Sequence, residues 1–107
     1  MSVENWREGA ILVELTGQAP RHEELQQAID TVQAAGDCHV VVDFSNADVV
    51  GSPTLSRLLE LRRVLRESGH KLILCHVSPA TKGVFTATQI DRLFDFVEDR
   101  SAALASL

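Results

Sequence analysis

The sequence predicts an α/β protein: a mixed, mostly parallel sheet of four to five strands with helices packed on it. Three observations carry this expectation. Two nearly continuous apolar runs, Cys38–Phe44 (CHVVVDF) and Lys71–Val77 (KLILCHV), read as strands covered on both faces. Between and around them, apolar residues recur at helical spacing, as in Leu25, Ala28, Ile29 and Val32. Helix stops and starts separate the runs at Gly36, Ser68-Gly69 and Ser78-Pro79.

In chain order, residues 3–7 and 10–16 read as two strands joined by a turn at Glu8-Gly9. Gly17-Gln18-Ala19-Pro20 breaks the second, and a helix follows, with Glu23 and Glu24 near its positive end and Gly36 past its last turn. After the strand at 38–44 comes a loop, Ser45-Asn46-Ala47-Asp48. A second helix then carries Leu55, Leu58, Leu59, Leu61 and Leu65 on one side and Arg57, Glu60, Arg63 and Glu67 on the other. Ser52-Pro53 fits the N-cap and first position of this helix, and Ser78-Pro79 repeats the device for a third helix reaching about Ala87. A last strand at 93–97 and a short helix at 101–107 complete the order ββαβαβαβα. Right-handed crossovers make every pairing parallel except the first hairpin.

The 107 residues suit one domain, 1–107, with a modest core. A net charge of −5 argues against nucleic acid and anionic membranes as general partners. The sequence shows neither a signal-like apolar segment nor a membrane-length one, so no direct membrane insertion is expected. Two cysteines make no disulfide framework and fit a reducing cytoplasm.

The usual cofactor and metal patterns are missing. Neither glycine-rich phosphate-binding pattern occurs, and no cofactor is expected. Cys-His occurs twice, at Cys38-His39 and Cys75-His76. On parallel strands these pairs fall at opposite ends, roughly 15 Å apart at about 3.3 Å per residue, too far to share an ion. They read as buried structural cysteines with their neighbours, and no metal is expected. Ser52 or Thr54 with His22 or His76 could be combined into a hydrolase, but no G-x-S-x-G elbow supports it. Arg57, Arg62, Arg63, Arg66 and Lys71 form a local basic stretch. It reads either as a solvated helix face with pairs such as Arg63–Glu67 or as a docking surface for an acidic partner. No aromatic residues are interleaved to stack on bases.

The segment VVVDFSNADVVGSPTLSRLLELRRVLRESGHKLILCHVSPATKGVFTATQIDRLF resembles the STAS domain of bacterial anti-sigma factor antagonists. The motifs that carry the likeness are Asp43-Phe44-Ser45, the helix start after Val50, and Leu93-Phe94. The resemblance implies a non-catalytic module that binds an anti-sigma factor kinase and frees a sigma factor. It also implies a partner surface around Asp48, Ser52, Thr54 and Arg57. In the family the joint before the second helix reads Asp-Ser-Ser-Gly-Leu, and its second serine accepts a phosphate. Here Gly51, Ser52, Pro53, Thr54 and Leu55 take those places, so the acceptor position holds Pro53. Ser52 and Thr54 are then the candidate acceptors, each displaced by one residue, roughly 100° around a helix. Gln18-Ala19-Pro20 also departs from the family's Gly-x-Leu-Asp segment. The alternative implied by the same likeness is a cytosolic subunit of a membrane lipid-transport ATPase; a small hydrolase is a distant third.

Overall fold

In a computed structural model, the structure describes residues 2–7, 9–16, 21–35, 38–46 and 51–107. The order is β1 (Ser2–Arg7), β2 (Ala10–Thr16), α1 (Arg21–Ala35), β3 (His39–Asn46), α2 (Ser52–Glu67), β4 (Leu72–Cys75), α3 (Pro79–Ala87), β5 (Asp95–Val97) and α4 (Arg100–Ser106). A 3₁₀ turn at Asp91–Leu93 leads into β5. The five strands form one sheet in the order β1-β2-β3-β4-β5. β1 pairs antiparallel with β2, and every later pairing is parallel.

This strand order dictates where the helices lie. β2, β3, β4 and β5 advance across the sheet in one direction, so three right-handed crossovers place α1, α2 and α3 on the same face. The burial pattern agrees. Ile11, Val13 and Leu15 from β2, Val40, Val42 and Phe44 from β3, and Leu72 and Leu74 from β4 join Leu25, Ile29, Leu58, Leu61, Leu65 and Phe85 in one apolar cluster. Alternate residues point the other way. Leu12, Val41, Ile73 and Cys75 pack with Ala103 beneath α4, and α4 contacts β3, β4 and β5. β3 is thus covered on both faces, which explains its unbroken apolar run: Val40, Val41 and Val42 are all fully buried.

The helix stripe expected in α1 is the buried one, since Leu25, Ala28, Ile29 and Val32 all face the core. Three strands depart from their expected bounds. β3 runs on to Asn46, so Ser45 and Asn46, expected in a loop, belong to the strand. The strand expected at 71–77 runs only over Leu72–Cys75, because His76 takes a left-handed conformation at φ 56° and turns the chain. The last strand begins two residues late, since residues 91–93 coil first.

α2 and α3 stop by the same hydrogen-bond pattern. The Gly69 N–H donates to the Arg66 carbonyl and the His70 N–H to that of Leu65, at 3.1 and 2.8 Å. In α3, Gln89 and Ile90 bond to Thr86 and Phe85 in the same way, both at 3.0 Å. Each pair is a Schellman motif, which needs a left-handed residue just past the helix. Gly69 meets this at φ 77° without strain, whereas Gln89 holds φ 62° with a side chain. Gln89→Gly is therefore expected to stabilise the fold by about 0.5–1 kcal/mol, read as a higher urea midpoint at unchanged slope.

Candidate interaction surface and its supporting ion cluster

The C-terminal ends of the parallel strands and the starts of α2, α3 and α4 lie along one edge of the sheet. Ligand and partner sites of open α/β sheets collect at such an edge, where strand ends and helix N-termini meet. The three helix starts are built differently. α4 is capped by Asp99, whose carboxylate accepts the Ala102 N–H at 2.8 Å. α3 is capped by Ser78, whose Oγ accepts the Thr81 N–H at 3.1 Å.

α2 starts otherwise. Its N-cap is Gly51, one residue earlier than expected, and Ser52 and Pro53 are already helical. Glycine has no side chain with which to cap, and the first turn holds no acidic residue. The Gly51 carbonyl closes the first turn by accepting the Leu55 N–H at 3.1 Å. The expected role of Ser52 as a cap is thus corrected: a residue inside the first turn cannot fold its hydroxyl back onto that turn's N–H groups as an N-cap does. Among the described residues the Ser52 hydroxyl makes no hydrogen bond, and Gly51, Ser52 and Pro53 are all exposed.

The other predicted residues fall as follows. Thr54 turns inward and is only 5% exposed, beside Leu55 and Leu58 on the buried side of α2. Of the two candidate acceptors, only Ser52 presents its hydroxyl. Arg57 is 38% exposed and reaches Glu60 at 3.5 Å, while its Nε is buried without a hydrogen-bond partner. Asp48, like Gln18-Ala19-Pro20, lies outside the described residues. The basic stretch does not act as one patch. Arg62 donates to the Leu93 carbonyl at 2.6 Å, Arg63 pairs with Glu67 at 2.7 Å, and the Lys71 ammonium donates to the Ser106 carbonyl at 2.9 Å.

Behind this edge lies an ion cluster that sequence inspection did not find. Asp43, near the end of β3 on the α4 face, is 1% exposed. Its Oδ1 accepts the Ser45 N–H at 2.8 Å and its Oδ2 accepts Nε of Arg100 at 2.5 Å. Arg100 also donates through Nη2 to Glu14 on β2 at 2.6 Å. Burial alone would raise the Asp43 pKa and is the largest single influence. The Ser45 N–H and the Arg100 guanidinium together outweigh it and hold the carboxyl below its ordinary value. Arg100 in turn is held more firmly charged by Asp43. The sequence separation of 57 residues between the partners left no local signal.

The two Cys-His pairs sit at opposite ends of the sheet, as strand geometry requires. Val40 is opposite Leu72 and Asp43 opposite Cys75. Cys38 therefore lies five residues upstream of that level, roughly 16 Å away along the strand. Both cysteines are buried and unpaired by disulfide. At its own end, His39 accepts the Lys71 N–H through Nδ1 at 2.9 Å. At the other end, Cys75 and His76 have Asp43 for company: one donor atom from each lies within 4.8 Å of the other two.

The mixed sheet, with three helices on one face, a short one on the other and the starts of α2, α3 and α4 along one edge, is an open α/β architecture with its candidate interaction surface at the strand ends. Residues 7–103 match the family model described as STAS domain, and the chain belongs to that family. It is similar to BtrV of Bordetella bronchiseptica, named as a candidate anti-sigma factor antagonist. The two are 27% identical over 84 residues, which cover 78% of this chain and 72% of BtrV. Among solved structures, RsbS of Moorella thermoacetica superposes with a TM-score of 0.84 at 16% identity, covering 98% of this chain and 92% of that one. Phosphorylated SpoIIAA, described as a Bacillus cell-fate determinant, superposes with a TM-score of 0.76 at 17% identity, covering 99% and 98%. At these identities both likenesses establish the fold. Among the described residues no helix is long and apolar enough to cross a membrane.

Three substitutions test these assignments. Ser78→Ala is expected to cost about 1 kcal/mol, the usual loss of a side-chain cap. Ser52→Ala should stay within about 0.5 kcal/mol, as for an unbonded surface position. Arg100→Ala leaves Asp43 buried without its counter-ion and should destabilise by about 2–3 kcal/mol. That is a modest value for a broken pair, because solvent reaches Arg100 and Ser45 still satisfies one oxygen. The native Asp43 pKa is lowered, so the wild type's advantage is full above the ordinary carboxylate range, about pH 4. It disappears as pH falls from there through the lowered native value. Urea denaturation of both proteins across this range reads the effect.

Proposed function

We propose that the chain is a non-catalytic cytoplasmic antagonist of an anti-sigma factor, docking its partner with the exposed start of α2. The observation that carries this reading is the electrostatics of that start. The free backbone N–H groups at a helix N-terminus concentrate partial positive charge, here three rather than four because Pro53 carries none. Here neither a side-chain cap nor a first-turn carboxylate offsets it, and Arg57 on the next turn adds positive charge that Glu60, 3.5 Å away, offsets in part. Gly51 stands where the family has an aspartate, so this chain lacks both a cap and a negative charge at that point. Such a surface fits an acidic face on a protein partner. The partner proposed is an anti-sigma factor kinase, met by Ser52, Arg57 and Asp48, with Thr54 supporting the surface from within.

Phosphate control follows different rules here. A phosphate adds nearly two negative charges and would convert an acid-seeking surface into a repelling one. Pro53 has no hydroxyl at the family's acceptor position, and Ser52, though exposed, is rotated from it by roughly 100°. The protein is therefore proposed to bind without the usual phosphate switch.

Co-purification from the native host, followed by intact-mass analysis, tests both parts. The expected result is a stoichiometric complex with an anti-sigma factor kinase and an unmodified chain. Recovery of a transport ATPase instead would transfer the same surface to the transport reading, and a phosphate mapped to Ser52 or Thr54 would overturn the loss of the switch. With the purified partner, Arg57→Glu should weaken binding by about tenfold or more, with a reduced salt dependence. Pro53→Ser should become a substrate for a family kinase that leaves the wild type unmodified.

A further inference from the structure

We propose that Asp43, Cys75 and His76 form a binding site for a thiophilic divalent cation of the zinc class. The three residues supply a carboxylate oxygen, a sulfur and an imidazole nitrogen, the donor types zinc accepts. Their donor atoms lie within 4.8 Å of one another. Around a tetrahedral zinc with bonds of 2.0–2.3 Å, ligand atoms stand about 3.3–3.8 Å apart. Closing the remaining distance of about 1 Å falls to His76, whose ring is exposed and free to turn.

The backbone produces this convergence in two steps. Parallel register sets Asp43 directly beside Cys75, on the same face of the sheet. The next residue of a regular strand would point to the opposite face. His76 instead adopts φ 56°, ends β4, and brings its imidazole back to the side of Cys75 and Asp43. A non-glycine residue in this conformation carries strain, and such residues gather at functional sites. The His76 N–H donates to the Glu98 carbonyl at 3.3 Å, which ties the turn to the segment after β5.

The first ligand is already oriented. Asp43 accepts one bond on each oxygen, from Ser45 and from Arg100. Each oxygen keeps a further lone pair for an ion. Arg100 then serves as an outer partner that fixes the carboxylate, as hydrogen-bonded neighbours of metal ligands commonly do. Charge favours a cation. Asp43 and Glu14 surround a single guanidinium and leave one negative charge over. A cysteine ligates zinc-class ions as the thiolate, so on binding the S–H bond breaks, an S–metal bond forms, and one proton is released per ion. Glu14, Asp43, thiolate, Arg100 and a divalent ion then sum to zero charge. Water completes the coordination at the fourth vertex.

The test uses the untagged full chain, stripped with chelator and titrated with Co²⁺. The expected result is one ion per chain, with a thiolate-to-cobalt charge-transfer band, tetrahedral d–d bands and release of about one proton; Zn²⁺ then removes the bands by displacing the cobalt, with no proton taken back up. His76→Asn is the decisive variant, because asparagine tolerates the left-handed conformation and should leave the fold intact. It should weaken binding by at least about tenfold. Cys75→Ser should abolish the charge-transfer band, and Cys38→Ser should retain it. The proposal is overturned by absence of the band in the wild type, by its survival in Cys75→Ser, or by unchanged affinity in His76→Asn. Should Cys75→Ser not fold, His76→Asn alone decides.

Discussion

One buried charge organises the working end of this protein. β3 is covered on both faces, and its apolar run ends in Asp43, an ionised carboxylate at 1% exposure. A carboxylate so placed must be bonded and paired, or it would cost several kcal/mol and take up a proton. The Ser45 N–H on its own strand supplies one bond, and Arg100 supplies the charge from the far end of the chain. A cation in the first turn of a helix has the wrong sign for the helix dipole. Asp99 as cap and the two carboxylates Asp43 and Glu14 compensate it. The result fastens α4 over β2 and β3, although this helix has only seven residues.

The same arrangement determines which edge of the sheet is available to partners. Every parallel strand ends, and every later helix begins, along one side. Two of the later helix starts are closed by their own side chains, Ser78 and Asp99. α2 alone among these three begins at a residue without a side chain. Its positive end is therefore turned to solvent beside Arg57, while Thr54 and Leu55 anchor the same turn in the core. α2 thus presents an uncapped end to solvent.

Much of the fold was legible because it rests on local patterns. The unbroken run at 38–44 reported double coverage, the spacing of Leu25, Ala28, Ile29 and Val32 reported a buried helix face, and parallel pairing after the first hairpin followed from the crossover connections. What sequence reading missed has one physical origin: it depends on contacts or torsions that no local pattern encodes. Asp43 and Arg100 are joined across 57 residues. Gln89 fills a helix stop normally signalled by glycine. The grouping of Cys75 and His76 with Asp43 breaks the alternation rule through one torsion. Asp43 was recognised as part of a loop motif, and nothing in the spacing of the Cys-His pairs pointed to it as a third donor.

The two Ser-Pro steps show how far a local rule reaches. Ser78-Pro79 and Ser52-Pro53 carry the same cap-and-proline signature. In α3 the serine caps, and its hydroxyl accepts the Thr81 N–H and donates to the Thr81 Oγ1. In α2 the helix begins one residue sooner, because Gly51 takes the cap position with φ −105° and ψ −179°. That backbone is open to ordinary residues, and a side chain there would meet only Pro53 Cδ at 3.8 Å. Space therefore does not require glycine. Its effect is to leave the start of α2 without a side-chain cap or a charge, and to leave the Ser52 hydroxyl uncommitted at the surface. Gly51 and Pro53 thus leave neither an acid nor a hydroxyl at these two positions of the helix start.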